Sequence, residues 1–215
     1  LVRSTYDIRP GETDMAMLPL FALFNPALGA TTVTPLLDPS KPLAADPAPL
    51  VSALIAEKVT RSFGSPAIWS KVADHCETSG LKLPDLRRLL IAGAPVSGEL
   101  LAKLRVVAPN CVTHTPYGAT ECLPVTTITA DELLGGARQL SLRGQGTCVG
   151  RPVSGVEIRV IREKDGAIAT LALCRPPVNA IDDAMLDALD GALAELEARV
   201  GVSAGARESL ATRAG

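Results

Sequence analysis

His114-Thr115-Pro116-Tyr117-Gly118-Ala119-Thr120-Glu121 packs an aromatic ring, a glycine, a hydroxyl and a carboxylate into one short segment. A site that holds a nucleotide and its metal needs these groups. The glycine lets backbone approach a ligand closely, and the tyrosine offers a flat face to a base. Thr120 can donate to a phosphate oxygen, and Glu121 can ligate magnesium. Taken alone, the same residues also describe a polar turn after a strand.

Working outward, the segments on the N-terminal side alternate between strand and helix patterns. Residues 13–30 read as a short helix opening near Leu20 and closing around Gly29, followed by a β-branched strand, Thr31-Thr32-Val33-Thr34. Residues 38–49 read as a Pro- and Asp-rich surface loop, after which Pro49 opens a helix over Leu50 to Lys58. Val59 to Phe63 is a second strand. Ile68 to Ser79 is a helix with Gly80 as its C-terminal cap. Leu86 to Ala92 contains a third strand, Ser97 caps a helix carrying Leu100, Leu101 and Leu104, and Val112-Thr113-His114 is a fourth strand. The alternation predicts an α/β fold with a mostly parallel sheet flanked by helices. In such sheets ligands sit beyond the carboxyl ends of the strands. Gly64-Ser65-Pro66, Gly93-Ala94-Pro95 and Tyr117-Gly118 each follow a predicted strand end, which places a pocket along one edge.

The Tyr117-Gly118-Ala119-Thr120-Glu121 segment resembles the Tyr-Gly-x-Thr-Glu motif of the adenylate-forming superfamily of acyl-CoA synthetases and acyl-AMP ligases. Leu90-Ile91-Ala92-Gly93-Ala94-Pro95 is similar to that family's adenine-side Gly-Ala-Pro motif. Leu18-Pro19-Leu20-Phe21 resembles its Pro-Leu-Phe-His segment, and Phe63-Gly64-Ser65-Pro66-Ala67 its acyl-pocket strand end. Gly150-Arg151-Pro152-Val153-Ser154-Gly155-Val156-Glu157 matches the turn and strand that follow. The order and spacing agree over about residues 5–162, with the olefin-pathway β-lactone synthetases as the nearest subfamily. The resemblance implies a partial N-terminal adenylation domain over 1–162. It implies ATP or AMP held by Gly93, Ala94, Pro95, Tyr117, Gly118 and Thr120, and Mg²⁺ ligated by Glu121. Thr120 and Glu121 would be the catalytic pair, and Ala22, Gly64, Ser65 and Pro66 the acyl substrate pocket. The implied parent reaction is activation of a fatty or β-hydroxy fatty acid as acyl-AMP. A β-hydroxyl or the thiol of coenzyme A would then expel AMP.

This sequence also departs from the family. Ala22 stands where the active-site histidine is expected. No lysine-bearing phosphate loop is present: Gly29-Ala30-Thr31-Thr32 lacks the lysine, and Gly144-x-Gly146-x-x-x-Gly150 leads into a strand rather than a helix. That loop is expected upstream of Leu1, and the ribose-binding aspartate and the lid domain with its catalytic lysine downstream of Arg162. The chain therefore reads as a fragment that does not turn over alone. The alternative reading is a non-catalytic remnant with weak nucleotide binding.

Beyond leucine 123 the pattern becomes β-rich over 124–129 and 147–162, with a glycine-loaded turn between. Ile168 to Leu173 reads as a strand that pairs back as a hairpin, and Asp182 starts an amphipathic helix carrying Met185, Leu189, Leu193, Leu196 and Val200. From Asp165 to Ile181, the run with Arg175-Pro176-Pro177-Val178-Asn179-Ala180 resembles the opening of a crotonase, and Ser203-Ala204-Gly205-Ala206 is similar to that family's oxyanion loop, with Arg207 in place of its acid. The expected division is 1–162 as the adenylation part and 163–215 as a crotonase-like strand–helix piece with a frayed tail. A divergent strand and helix of a synthetase is the other reading of 163–200. A crotonase-like acyl-CoA enzyme, resting on this tail alone, ranks last among the functional readings.

The bulk chemistry narrows the partners. A net charge of −2 with no basic run gives no footprint for nucleic acid or an anionic membrane. Apolar runs are short, so no membrane-spanning helix is expected. Cys76, Cys111, Cys122, Cys148 and Cys174 are odd in number and form no C-x-x-C pair, which suggests a reducing, cytoplasmic setting and argues against a zinc site. The expected partners are a nucleotide and a fatty acyl substrate, with association with other acyl-processing enzymes. Trp69 reads either as an acyl-pocket wall or as a core anchor. His75 reads as a solvated surface residue, and His114 as a packed residue at a strand end.

Overall fold

The computed structural model describes residues 1–38, 40–119, 122–143, 147–162 and 169–174. A single helical turn, α1 (Val2–Thr5), precedes strand β1 (Thr13–Ala16), and two further turns, α2 (Pro19–Ala22) and α3 (Asn25–Leu28), lead to β2 (Thr31–Val33). The short helix expected from near Leu20 to around Gly29 is therefore two separate turns, and the strand β1 ahead of it was not read from the sequence. Gly29 ends α3 at φ 71° and donates its N–H back to the carbonyls of Asn25 and Pro26, a left-handed cap that glycine adopts without steric penalty.

Helix α4 (Pro47–Ala56) begins two residues before the predicted Pro49, because Asp46 caps it and accepts from the Ala48 N–H at 3.0 Å. Pro47 then occupies the first turn, where its missing N–H costs nothing. The preceding loop also contains a 3-10 turn over Pro42–Ala44. The alternation continues as predicted through β3 (Arg61–Gly64), α5 (Pro66–Ser79), β4 (Arg88–Ile91) and α6 (Gly98–Val107). Ser97 caps α6 and Gly80 closes α5 at φ 68°.

Strand β5 (Val112–Ala119) is longer than the sequence suggests, and it pairs with an antiparallel β6 (Cys122–Thr129). Tyr117 and Gly118 thus lie inside a strand rather than in a turn after one. The expected glycine-loaded turn after β6 is instead helical: α7 (Ala130–Glu132), a π-helical stretch over Leu133–Ala137 and α8 (Arg138–Leu142). A reciprocal capping box starts it, with Thr129 accepting from the Glu132 N–H and the Glu132 carboxylate accepting from the Thr129 N–H. Strand β7 (Arg151–Pro152) completes a seven-stranded sheet of order β2-β1-β3-β4-β5-β6-β7. Its first five strands are parallel and the last two are antiparallel additions. Strands β8 (Glu157–Arg162) and β9 (Ala169–Cys174) pair in a separate two-stranded sheet, the predicted hairpin partners. The chain divides into compact units at Leu1–Leu173 and Cys174–Gly215. The predicted helix from Asp182 and the crotonase-like loop lie outside the described residues.

Strand alternation sorts the sheet's two faces. Met15, Leu89 and Ile91 point to the face covered by α4, α5 and α6, where Leu50, Leu54, Ile68, Trp69, Val72, Leu100 and Leu104 form the main core. Phe63, Leu90 and Ala92 belong to a smaller cluster on the other face, with Tyr6, Ile8, Phe21 and Leu28. On that face, toward the strands' amino ends, lies a buried charge network. Asp14, on β1, is the register partner of Arg61 on β3. Their side chains meet at 3.2 Å and each is 4% exposed. The Asn25 side-chain amide donates to Asp14 Oδ2 at 2.8 Å and to Thr32 Oγ1 at 2.9 Å, and its own oxygen accepts from Arg61 Nη2 at 2.5 Å. Arg88, beside Arg61 on β4, pairs with Glu12 at 2.9 Å.

Breaking one partner of a buried pair strands the other charge, at about 3–5 kcal/mol. Arg61→Leu is expected to lower unfolding free energy by about that amount in urea titrations, and Asp14→Leu/Arg61→Leu by less than the single change. A loss in the double variant equal to the sum of the losses in Asp14→Leu and Arg61→Leu would show that the pair does not act as a unit.

Candidate functional site

Three adjacent strands, β3, β4 and β5, end or pass at the same edge of the sheet. The register partners Leu90 and His114 fix β4 against β5; three residues further on come Gly93, past the end of β4, and Tyr117, within β5. The Ala92 N–H donates to the Gly64 carbonyl at 3.2 Å, which ties the end of β3 to the end of β4. The fold therefore brings Gly64-Ser65-Pro66, Gly93-Ala94-Pro95 and Tyr117-Gly118 to one edge. Thr120 and Glu121 lie outside the described residues, between Ala119 of β5 and its register partner Cys122.

The three groups differ in character. Gly93 has φ +92°, a conformation that favours glycine, and a side chain built there would meet only open space. Ala94 and Pro95 are exposed beside it. Tyr117 is 48% exposed, so a substantial part of its ring surface is free for a planar partner. Gly118 is explained by the fold itself. The register shifts between Tyr117 and Ala119, and a Cβ at 118 would collide with the Cys122 carbonyl oxygen. Ser65 is occupied as well, since its hydroxyl caps α5 by accepting from the Ile68 N–H at 3.4 Å. Pro66 fills the first turn of that helix. Ala22 ends α2, and its neighbour Phe21 stacks on Phe63 with ring centroids 3.8 Å apart, next to Gly64 in the chain.

Beside this edge, Tyr6 has a role the sequence did not signal, whereas His114 is packed as expected. Tyr6 packs edge-on against His114 at 5.1 Å and donates to Thr127 Oγ1 at 3.4 Å. This joins the first residues of the chain to β5 and β6 across more than a hundred residues, a contact no local pattern signals. Burial pushes the Tyr6 hydroxyl up to about 12. His114 Nδ1 is buried without a hydrogen-bond partner. Burial first, and Arg88 second, hold this imidazole below its ordinary value of 6.5, against a weaker pull from Glu132. His114 is thus a packed neutral histidine. Trp69, which the sequence left open between pocket and core, is 0% exposed and belongs to the main core.

A shallow cleft elsewhere, between α5 and α6, is lined by Ser70, Asp74, Ser97, Glu99, Leu100 and Lys103. Lys103 sits there against Asp74 at 2.6 Å, Glu77 at 3.5 Å and Glu99 at 3.7 Å. These are exposed ion pairs of the kind that lace helix surfaces, and the cleft offers no group suited to a base or an acyl chain. Among the described residues no group of three or more His, Cys, Asp or Glu side chains could hold a metal ion.

Residues 14–170 match the family model described as AMP-binding enzyme. The chain belongs to this family. As an AMP-binding enzyme chain, it is 44% identical over 169 residues to an olefin beta-lactone synthetase of Xanthomonas campestris, a match covering 78% of this chain and 30% of that protein. It is 32% identical over 123 residues to a long-chain-fatty-acid–CoA ligase of Thermus thermophilus, covering 55% of this chain and 22% of the relative. The chain thus spans less than a third of the length of these relatives. Among solved structures, the nonribosomal peptide synthetase FmoA3 in its alpha-methyl-L-serine-AMP bound form superposes with a TM-score of 0.66 at 18% identity, over 81% of this chain and 20% of that one, a likeness of fold. The amide bond synthetase McbA of Marinactinospora thermotolerans does so with a TM-score of 0.59 at 26% identity, over 77% and 31%. The family match runs to residue 170, past Arg162 and into β9.

Gly118→Ala is expected to cost about 1–3 kcal/mol, because backbone cannot yield to the new methyl group. Thermal denaturation measures it, and an unchanged melting temperature would contradict the packing described. For His114 the sign follows from its lowered pKa: the folded state resists the proton that the unfolded chain accepts. Its contribution is complete above pH 6.5 and is lost as the pH falls from there through the folded value. Stability of the wild type is therefore expected to fall more steeply below pH 6.5 than that of His114→Phe, which keeps the ring contact with Tyr6.

Proposed function

We propose that this chain is part of an ATP-dependent adenylate-forming ligase that activates a fatty or β-hydroxy fatty acid. The observation that carries the proposal is the exposed Gly93-Ala94-Pro95 turn just past the end of β4 and the half-exposed Tyr117 on the neighbouring strand β5, each three residues or more beyond the registered pair Leu90 and His114. The open space at Gly93 and the free face of Tyr117 suit a flat purine. Gly93, Ala94 and Pro95 form one wall for adenine, and Tyr117 stacks on its face. Gly118 holds the strand geometry that presents Tyr117. The acyl group lies against Gly64, Ser65 and Pro66 with Ala22 nearby. The carboxylate of the acid attacks the α-phosphorus of ATP, forming the acyl–phosphate bond as the bond to pyrophosphate breaks. Thr120 would contact the phosphate and Glu121 would hold Mg²⁺, which when bound would neutralise charge on the phosphate oxygens. Positioning and charge neutralisation carry most of such catalysis. The 44% identity to an olefin beta-lactone synthetase supports a β-hydroxy acid, whose hydroxyl would attack the activated carbonyl and release AMP.

A second reading is favoured by the structure around Gly29. The Gly29-to-Thr32 run caps α3 and opens β2, so it is not a phosphate cradle. On this reading the chain holds a nucleoside monophosphate and does not turn over. The division at residues 162 and 163, with a crotonase-like tail, remains part of the proposal, as do the cytoplasmic setting and association with other acyl-processing enzymes. No helix among the described residues is long and apolar enough to cross a membrane.

Calorimetry with AMP tests the site. The wild type is expected to bind, and Tyr117→Ala to lose about 1–3 kcal/mol, the usual worth of a base stacked on an aromatic ring. Equal binding by the two chains would sink the assignment of Tyr117. ATP–pyrophosphate exchange separates the two readings, since exchange by the purified chain would exclude the non-catalytic one.

A further inference from the structure

We infer that Tyr6 is a positioning residue for the nucleotide edge, bracing β5 and β6 where they present Tyr117. This role rests on the adenylate-forming reading above and adds a residue to it. Beyond His114, β5 is registered to β6 alone, so among the described residues its other edge has no strand beside it. Pro116 and Gly118, both poor strand residues, lie in this stretch, and the register shifts just after Tyr117. A strand paired on one side and interrupted in this way needs support from its face. Tyr6 supplies it. Its ring stands edge-on to His114 with centroids 5.1 Å apart, a favoured arrangement for two such rings. Its hydroxyl donates to Thr127 Oγ1 at 3.4 Å. Thr127 is the register partner of Pro116, so the brace grips both strands one residue before Tyr117.

Tyr6 is itself held firmly. It is 4% exposed and belongs to the cluster with Ile8, Phe63, Leu90 and Ala92. Its N–H donates to the Val2 carbonyl at 3.2 Å, and the Ile8 N–H to the Arg3 carbonyl at 3.0 Å. Between them Asp7 takes φ +46°, a left-handed conformation uncommon outside glycine. Such strain persists only where the surroundings hold it. Here Arg88 Nη2 donates to the Asp7 carbonyl at 3.0 Å, while Arg88 Nη1 donates to Glu12. Arg88 lies on β4, the strand that leads to Gly93. The segment around Tyr6 therefore ties β4 to the β5–β6 pair beyond the point where β4 and β5 cease to be registered. Strand alternation turns Tyr117 to the face opposite His114, so Tyr6 acts through the backbone of β5 and touches no ligand.

The test measures AMP affinity by calorimetry on the full chain as wild type, Tyr6→Leu, Tyr6→Phe, Val51→Ala, Tyr117→Ala and Tyr6→Leu/Tyr117→Ala, at a temperature where each is folded. Tyr6→Leu is expected to weaken AMP binding about tenfold, within the worth of a base stacked on an aromatic ring. Tyr6→Phe keeps the ring against His114 and is expected to recover most of that loss. Val51→Ala removes packing from the main core, and is expected to lower the melting temperature while binding AMP as the wild type does. The double variant is expected to bind no more weakly than Tyr117→Ala, because Tyr6 counts only through Tyr117. His114→Leu removes the ring contact from the strand side and serves in place of Tyr6→Leu if that variant does not fold. Wild-type affinity in folded Tyr6→Leu overturns the inference and leaves the adenylate-forming reading in place. Losses that add in the double variant overturn it too, since Tyr6 would then act elsewhere. So does a loss in Val51→Ala equal to that in Tyr6→Leu, since lost stability alone would then explain both. Failure of the wild type to bind AMP removes the reading itself, and the inference with it.

Discussion

The buried pair of Asp14 and Arg61 is the constraint on which the sheet's alignment depends. A carboxylate and a guanidinium removed from water are tolerable only when paired and hydrogen-bonded. Here several elements share the requirement, although Arg61 Nη1 is buried without a hydrogen bond, 3.9 Å from Glu12 Oε2. Arg61 on β3 takes Asp14 on β1 and the Asn25 oxygen at the start of α3, while the Asn25 amide reaches Asp14 and Thr32 on β2. A slip of one residue in β1 or β3 would turn its charged member to the aliphatic face. The network thus sets the register of β2, β1 and β3 together, and Arg88 with Glu12 extends it to β4.

Fixed register at the strands' amino ends has its effect at their carboxyl ends. With β3 and β4 held in register, Gly64 and Ile91 are partners, and the loops that leave them start side by side. With β4 held to β5 as far as Leu90 and His114, the Gly93 turn and Tyr117 each follow three residues beyond that pair. The aliphatic face is closed by α4, α5 and α6, whose caps at Asp46, Ser65 and Ser97 use side chains from the same connections. The edge is therefore assembled from residues with two duties, and Gly118 and Ser65 show that packing alone accounts for some of those the motif singles out.

Much of this architecture was legible in the sequence because its signals are local. The caps at Ser97 and Gly80, the β-branched Thr31-Thr32-Val33 and the repeated strand–helix spacing were read correctly. Strand β1 was not, because Thr13-Asp14-Met15-Ala16 carries a charge at a position that turns out to be buried, and only the distant Arg61 makes that tolerable. The extension of β5 through Pro116 and Gly118 was hidden by two residues that usually end strands. Past His114, β5 is registered to β6 alone, which leaves one side of the strand open and lets a proline stand there. The helical segment after β6 did have a signal, the Thr129-x-x-Glu132 capping box, which the pair of glycines at 135 and 136 obscured. In the candidate site, the residue types came from the motif, whereas the Tyr6 contact with His114 comes only from the folded chain.

The central claim is that the ends of β4 and β5 form one nucleotide-binding edge. Amide chemical-shift mapping of the full chain on addition of AMP tests it most directly. The account predicts that the Gly93, Ala94, Tyr117 and Gly118 signals move together with a single dissociation constant, while those of Asp74 and Lys103 in the cleft between α5 and α6 stay in place. Shifts confined to that cleft, or no shifts in a folded chain, would contradict it.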